Sequence, residues 1–248
     1  MHPTRIAELL KPFLSRPTDA SHFARSRSEC DGGVEEPAVL LPPQLQDIST
    51  YIDILQRWNS RINLTAIRDE EEIVTRHFGE SLFAARHLFP NTPHVGTAAL
   101  GCPAERSSAI RVADLGSGAG FPGLPIKLWA PEISLTLIES NQKKASFLRE
   151  VVRVLTLTNV DIQNIRAEDL SGTQTFDAVT LRAVEHFNSA LPLAASLLTP
   201  TGRLALLIGS SQEDQACSTL RDFSWQPIPV PKSKSRVLLM GERRNHEG

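Results

Sequence analysis

The sequence predicts an α/β protein: a mostly parallel sheet with helices on both faces, preceded by a helical N-terminal extension. From Ile110 onward, short β-like runs alternate with helical ones, the pattern of a parallel sheet covered on both sides. Before residue 90 the apolar residues recur three or four apart instead, which is helical spacing. The two textures meet at RVADLGSGAGFPGLPIKL (111–128), where a glycine-rich turn separates a strand from a helix.

Taken in order, TRIAELLKPFL (4–14) predicts a short helix with Ile6, Leu9, Leu10 and Phe13 on one face. The stretch from Ser15 to about Val39 is rich in Ser, Arg, Glu, Gly and Pro without periodicity, as expected of a flexible spacer. After Pro42-Pro43, the positions Leu45, Ile48, Ile52, Leu55 and Trp58 form an amphipathic face. Asp69 is placed to cap the next helix, with Glu72 at the capping-box position. Strands are then expected in IRVADL, SLTLIES, NVDIQN, FDAVTLR and GRLALLIG, with helices through PGLPIKLWA, from Asn141 to about Leu155, and up to about Leu198. WQPIPVP and SRVLLMGE suggest a final hairpin at the sheet edge. The expected organisation is a short helix and spacer (1–41), a helical extension (42–89), a loop (90–109) and a ligand-binding α/β domain (110–248).

Composition narrows the class. With 248 residues, 41% hydrophobic and 22% charged, the chain can bury a sizeable core. No apolar stretch approaches the ~20 residues of a membrane span. MHPTRIAELLKPF lacks the apolar segment of a secretory signal, so the expected location is the cytoplasm. Cys30, Cys102 and Cys217 are far apart, which predicts neither a metal site nor a disulfide framework. The net charge of −2, from 26 basic and 28 acidic residues, means that any nucleic-acid contact must use a local basic patch.

Gly116, Gly118 and Gly120 let the backbone turn sharply and approach a ligand without Cβ atoms in the way. Pro122 suits the first helical position. A dinucleotide fingerprint would carry a third glycine at position 121, where this chain has Phe, and no Walker lysine is present. Glu139 ends the next apolar run, where a carboxylate can accept hydrogen bonds from the hydroxyls of a ribose. The loop alone could be a bare tight turn. Together with Glu139 it points to an adenosine-bearing ligand, and the loss of the third glycine favours S-adenosylmethionine (SAM) over a nicotinamide cofactor.

Five stretches in order then resemble one family: LQRWNSRINLTAIRDEEEIVTRHFGESL, VADLGSGAGFPGLPIKL, TLIESNQKKASFLREVV, NIRAEDL and FDAVTLRAV. They are similar to the bacterial small-subunit ribosomal RNA guanine-N7 methyltransferases known as RsmG or GidB, over about Leu45 to Gly209. The family motif often reads Asp-Ser where this chain has Glu80-Ser81. The resemblance implies a class I SAM-dependent methyltransferase fold, with 16S rRNA in the small ribosomal subunit or its precursor as partner and a monomeric enzyme. It places Gly116, Gly118, Phe121, Glu139, Ala167, Glu168 and Arg182 around the cofactor: Glu139 at the ribose, Ala167-Glu168 at the adenine, Arg182 at the mouth.

The chemistry asks little of the side chains. Guanine N7 has a free lone pair and no proton, so no general base is needed and no catalytic residue is assigned; positioning is the main task. The segment TLRAV after the fourth strand lacks both an Asn/Asp-Pro-Pro-aromatic motif and a nucleophilic cysteine, which argues against exocyclic-amine and pyrimidine-C5 chemistry and leaves N7 or oxygen chemistry open. Arg182 can meet the guanine edge or a phosphate, or merely pair with a carboxylate. Arg68, Arg76 and Lys143 are candidate RNA contacts, with Arg61, His77 and Lys144 beside them. Lys232, Lys234 and Arg236 form either a further basic patch or the protection of an edge strand. Other readings of the same residues are a methyltransferase acting on a small molecule or protein, a nicotinamide oxidoreductase, and a non-catalytic ribosome-assembly factor.

Overall fold

The computed structural model describes residues 1–15, 40–90, 109–170, 175–183 and 187–244. The expected spacer and most of the 90–109 loop, with Cys30 and Cys102, lie outside the described residues.

Seven strands form one sheet in the order β3-β2-β1-β4-β5-β7-β6. They are β1 (Arg111–Leu115), β2 (Ser134–Ile138), β3 (Val160–Gln163), β4 (Phe176–Arg182), β5 (Leu198–Gly209), β6 (Phe223–Pro229) and β7 (Arg236–Arg243). The first five pair in parallel, while β7 runs antiparallel to β5 and to β6. Strand order reverses between β1 and β4, so the ligand crevice belongs beyond the carboxyl ends of these strands.

Alternation along the strands sends successive side chains to opposite faces, and each face has its own core. In β5, Leu204, Leu206 and Ile208 join α7 (Phe187–Ser196) and α8 (Glu213–Thr219), while Ala205 and Leu207 face the other side. On that other side lie α5 (Gly123–Trp129) and α6 (Gln142–Val154), together with the N-terminal helices α1 (Pro3–Leu14), α2 (Pro42–Asn59) and, after the short α3 (Glu70–Glu72), which buries no residue, α4 (Glu80–Leu88). The extension thus shares one hydrophobic core with the sheet. Ile48, Tyr51, Ile52 and Leu55 of α2 are completely buried, each contributing about 1.5–3 kcal/mol of transfer free energy. Polar ties fix the angle of α2: Gln44 Nε2 donates to the Leu128 carbonyl of α5 (2.6 Å) and Trp58 Nε1 to Glu150 of α6 (2.8 Å).

Differences from the sequence expectation are local. The helix after Asp69 is capped as expected, with Asp69 Oδ1 accepting from the Glu72 amide (2.8 Å), but it widens into a π-helix over Ile73–Gly79. There the Phe13 ring of α1 packs so closely on Gly79 that a Cβ would lie 2.7 Å from it. The helix expected to run to about Leu198 stops at Ser196, because Leu198 already pairs with Phe176. Helix α8 has no counterpart in the sequence expectation, since EDQACST carries little apolar periodicity. Pro122 is the N-cap of α5, one residue earlier than expected.

The glycine missing from position 121 is replaced in function by Gly123. A Cβ on Gly123 would lie 2.6 Å from Leu137 Cδ2 and 2.8 Å from Asp114 Oδ2, so this residue allows the close helix–strand packing. Gly123→Ala is therefore expected to cost about 1–3 kcal/mol of stability in urea denaturation. An unchanged midpoint would show that the helix is free to withdraw.

Candidate active site

The loop after β1 is shaped by backbone bonds. The amides of Gly116 and Ser117 both donate to the Ile138 carbonyl at the end of β2 (2.9 and 3.1 Å). Gly116, Gly118 and Gly120 all have positive φ (68°, 56° and 82°). A Cβ on Gly118 would meet only the Gly116 carbonyl oxygen, at 3.7 Å; the loop is open to a ligand there. Glu139 lies beneath it, accepting from the Gly118 amide (2.8 Å) and the Asn141 amide (2.7 Å). Asn141 in turn caps α6, its Oδ1 accepting from the amides of Lys143 and Lys144.

Behind the loop, the Asp114 carboxyl accepts from Thr180 Oγ1 (2.7 Å) and the Gly123 amide (3.2 Å). Burial raises its pKa to about 6, against the hydrogen bonds from Thr180, Gly123 and Ser117 and the charge of Arg182.

The other wall comes from the helical extension. Phe121 is stacked with Tyr51 (centroids 5.4 Å, planes 5° apart) and with His77 (4.7 Å, 17°), and meets Phe78 edge-on at 5.1 Å. Tyr51 also donates its hydroxyl to the Ala119 carbonyl (2.5 Å). A Cβ on Gly120 would collide with that hydroxyl. His77 Nε2 lies 2.8 Å from Thr65 Oγ1, whereas its buried Nδ1 has no partner among the described residues. Burial first, then the charges of Arg182, Arg76 and Arg236, push the His77 pKa down to about 3. The ring is neutral at physiological pH. Asn59 folds the NLTAIR turn against this wall by accepting from the Leu64 and Thr65 amides.

At the mouth, one buried carboxylate holds two guanidinium groups: Glu80 Oε2 lies 3.3 Å from Arg182 Nη2 and 3.0 Å from Arg236 Nε. Arg182 also donates to the Arg76 carbonyl (2.6 Å) and lies 5.9 Å from the Phe121 ring centroid. Burial lowers its pKa to about 10, opposed by Glu80, so it remains a cation.

These parts enclose a cleft of about 320 Å³. Of the residues expected at the site, Gly116, Gly118, Phe121, Arg76 and Arg182 line it, as do His77 and Lys144. Glu139 supports the loop from below instead. Ala167 and Glu168 form a 3-10 turn after β3 and are not on its walls. Arg68 is turned to the Asn59 carbonyl (3.0 Å), where it braces the NLTAIR turn rather than facing substrate. Lys143 is exposed outside the cleft because the helix registers its neighbour Lys144 inward. Sequence reasoning missed Asp114, Thr65 and Tyr51, which are brought in by tertiary contact. It also missed the pairing of Glu80 with both arginines, although the Glu80-Ser81 motif marked the place.

The family model described as rRNA small subunit methyltransferase G, GidB, matches residues 44–236. The chain belongs to this family. Among its relatives is the ribosomal RNA small subunit methyltransferase G of Xylella fastidiosa, strain 9a5c, 40% identical over 198 residues (78% of this chain, 84% of that one). The protein of the same description from Roseiflexus castenholzii is 39% identical over 209 residues (79% and 82%). In fold the chain is similar to a ribosomal protein L11 methylase from Lactobacillus delbrueckii subsp. bulgaricus (TM-score 0.52, 13% identity, 68% of this chain and 79% of that one). As a GidB member the chain is a SAM-dependent methyltransferase of small-subunit rRNA, of the family that modifies guanine N7. The open glycine cradle and the unpartnered His77 nitrogen are consistent with a cofactor and substrate meeting in this cleft.

Two buried groups give the GidB chain opposed pH dependences. An unfolded histidine takes up a proton near 6.5, the folded His77 only near 3, so its share of stability is complete above pH 6.5 and falls as the pH drops towards 3. Asp114, raised from 3.8 to about 6, makes the fold relatively more stable as the pH falls between those values. Each slope is about 1.4 kcal/mol per pH unit. Between pH 7 and 5, His77→Gln is expected to gain about 2 kcal/mol relative to wild type, and Asp114→Asn to lose about 1 kcal/mol relative to it. Urea melts at the two pH values check both; differences that do not move with pH would contradict these environments.

Proposed function

We propose that this cleft is where a methyl group reaches N7 of a guanine in 16S rRNA, in the small subunit or its assembly precursor, with the protein acting as a monomer in the cytoplasm. One observation carries this reading above the others. The open glycine cradle shares a single cleft with Arg76, Arg182, Arg236 and Lys144. A small neutral acceptor would have no use for that much positive charge, whereas a nucleotide and its phosphates would.

In this reading Gly116 and Gly118 offer backbone to the cofactor, and Glu139 accepts hydrogen bonds from its ribose through lone pairs not used by the loop amides. Ala167 and Glu168, beyond β3, meet the adenine. When bound, SAM supplies an electrophilic methyl on its sulfonium. Phe121 and neutral His77 give the cleft a flat, uncharged surface suited to a base, and they keep water from it. Arg182 is held through Nη2 by Glu80 and the Arg76 carbonyl, so its position is set before substrate arrives. There it can meet the O6/N7 edge of the guanine or a phosphate. No side chain needs to remove a proton, and His77, whose buried ring resists protonation, is a poor base.

Incubation of unmodified small subunits with radiolabelled SAM, followed by nucleoside analysis, should place the label in 7-methylguanosine. No transfer, with SAM binding intact, would contradict the acceptor. Gly116→Val introduces a branched residue at φ 68° and should weaken SAM binding more than about tenfold, measured calorimetrically. Unchanged affinity would remove the loop from the cofactor site.

A further inference from the structure

A second cleft, of about 310 Å³, adjoins the first. It lies between the tip of the β6–β7 hairpin and the helical extension, and its lining includes Phe13, Thr75, Arg76, Glu80, Lys232 and Lys234. Topology puts it there. Arg236, the first residue of β7, pairs with Gly209 at the carboxyl end of β5, so the hairpin tip returns to the edge of the sheet that carries the glycine loop. Arg76 and Arg236 line both clefts and form the boundary between them.

The hairpin tip is well ordered by its own bonds. The Val230 amide donates to the Arg236 carbonyl (3.1 Å), the Ser233 amide to Val230 (3.2 Å) and the Ser210 amide to Ser235 (2.9 Å). Lys232 holds a left-handed backbone (φ 60°). Lys232 and Lys234 are both exposed, and among the described residues neither has a carboxylate within 4.0 Å. They are not guarding the edge strand, because they lie in the turn, beyond β6. That strand carries Pro227 and Pro229, which already prevent pairing.

The charges around this cleft are unbalanced. Glu80 is committed to Arg182 and Arg236. The Arg76–Glu72 pair (2.9 Å) is half-exposed on both sides, and such a pair is weak enough to exchange for a better anion. Lys232, Lys234 and Arg76 therefore face a groove with no committed countercharge, which opens directly from the proposed methyl-transfer site.

The geometry points to this groove as a track for the RNA backbone. It holds the phosphates adjacent to the target guanosine, with Lys232 and Lys234 on one bank and Arg76 on the other. This rests on the reading of the first cleft as the guanine site. Lysines serve here as point charges without base preference, so the groove supplies affinity and register rather than sequence choice.

The test compares the full-length wild type, Lys232→Ala/Lys234→Ala and Lys232→Arg/Lys234→Arg. The readout is anisotropy of a fluorescent single-stranded 16S rRNA fragment over a potassium chloride series, which does not depend on methyl transfer. Calorimetric SAM affinity, expected to be the same in all three, verifies folding. With two lysines no longer neutralising phosphates of a single strand, the slope of log K against log salt should fall by about 1.4. Binding at low salt should weaken several-fold, with the arginine variant close to wild type. Wild-type affinity and slope in the alanine variant would overturn the proposal, as would an arginine variant as weak as the alanine one. Weakened binding to assembled subunits with naked RNA unaffected would overturn it in favour of a ribosomal protein. A wild type that binds RNA through these lysines and transfers no methyl would support the groove and contradict the proposed activity alone.

Discussion

The position of one aromatic ring, Phe121, governs how the rest of the site is built. It occupies the point where a dinucleotide-binding loop would carry a glycine, and the chain uses its bulk to join two parts of the structure. Tyr51 and His77 stack with it, Phe78 meets it edge-on, and the Tyr51 hydroxyl reaches the same loop at Ala119. Aromatic pairs of this kind add about 0.5–1.5 kcal/mol each beyond their buried area. Consequently the helical extension is not an appendage: it forms one wall of the cleft and holds the glycine loop at Ala119 and Phe121. Gly120 is constrained by the same contact, since any side chain there would meet the Tyr51 hydroxyl.

Charge at the mouth follows a similar economy. Two arginines from the strands that flank β5, Arg182 of β4 and Arg236 of β7, converge on the nearly inaccessible carboxylate of Glu80. A buried ion pair is seldom a source of net stability, but removing one partner from it is expensive. Its value here is positional. Glu80 neutralises one guanidinium and leaves an excess of positive charge fixed at the opening. The π-helical turn just before Glu80 carries Arg76 and His77 into the same opening, in keeping with the frequency of such turns at functional sites.

Much of this is legible in the sequence. Strand–helix alternation after Ile110, the amphipathic α2 and the glycine loop each have a local cause, and local causes survive into the structure. The loop residues Gly116 and Gly118 can be found because a βα turn places them by chain geometry, whereas Phe121 and the strand-end residue Arg182 are found through the family resemblance. What escapes is set by tertiary contact. Asp114 reads as one more residue in an apolar strand until Thr180 of β4 lies beside it. Lys143 and Lys144 are indistinguishable as letters, and only the phase of α6 decides which one faces the cleft. Arg68 reads as a substrate contact because it is basic and near a turn, yet its guanidinium finds an acceptor closer by, in the Asn59 carbonyl. The widening at Ile73–Gly79 leaves no mark in a pattern that fits an α-helix equally well.

The most direct test of this coupling is native-state hydrogen exchange in Phe121→Leu, a change that keeps the apolar bulk and removes the ring. Protection of the amides in α2 and of those in the glycine loop should fall together and by similar factors, since each element holds the other. Loosening of the loop with α2 unaffected would show that the extension stands on its own core, and that the aromatic stack is packing without a coupling role.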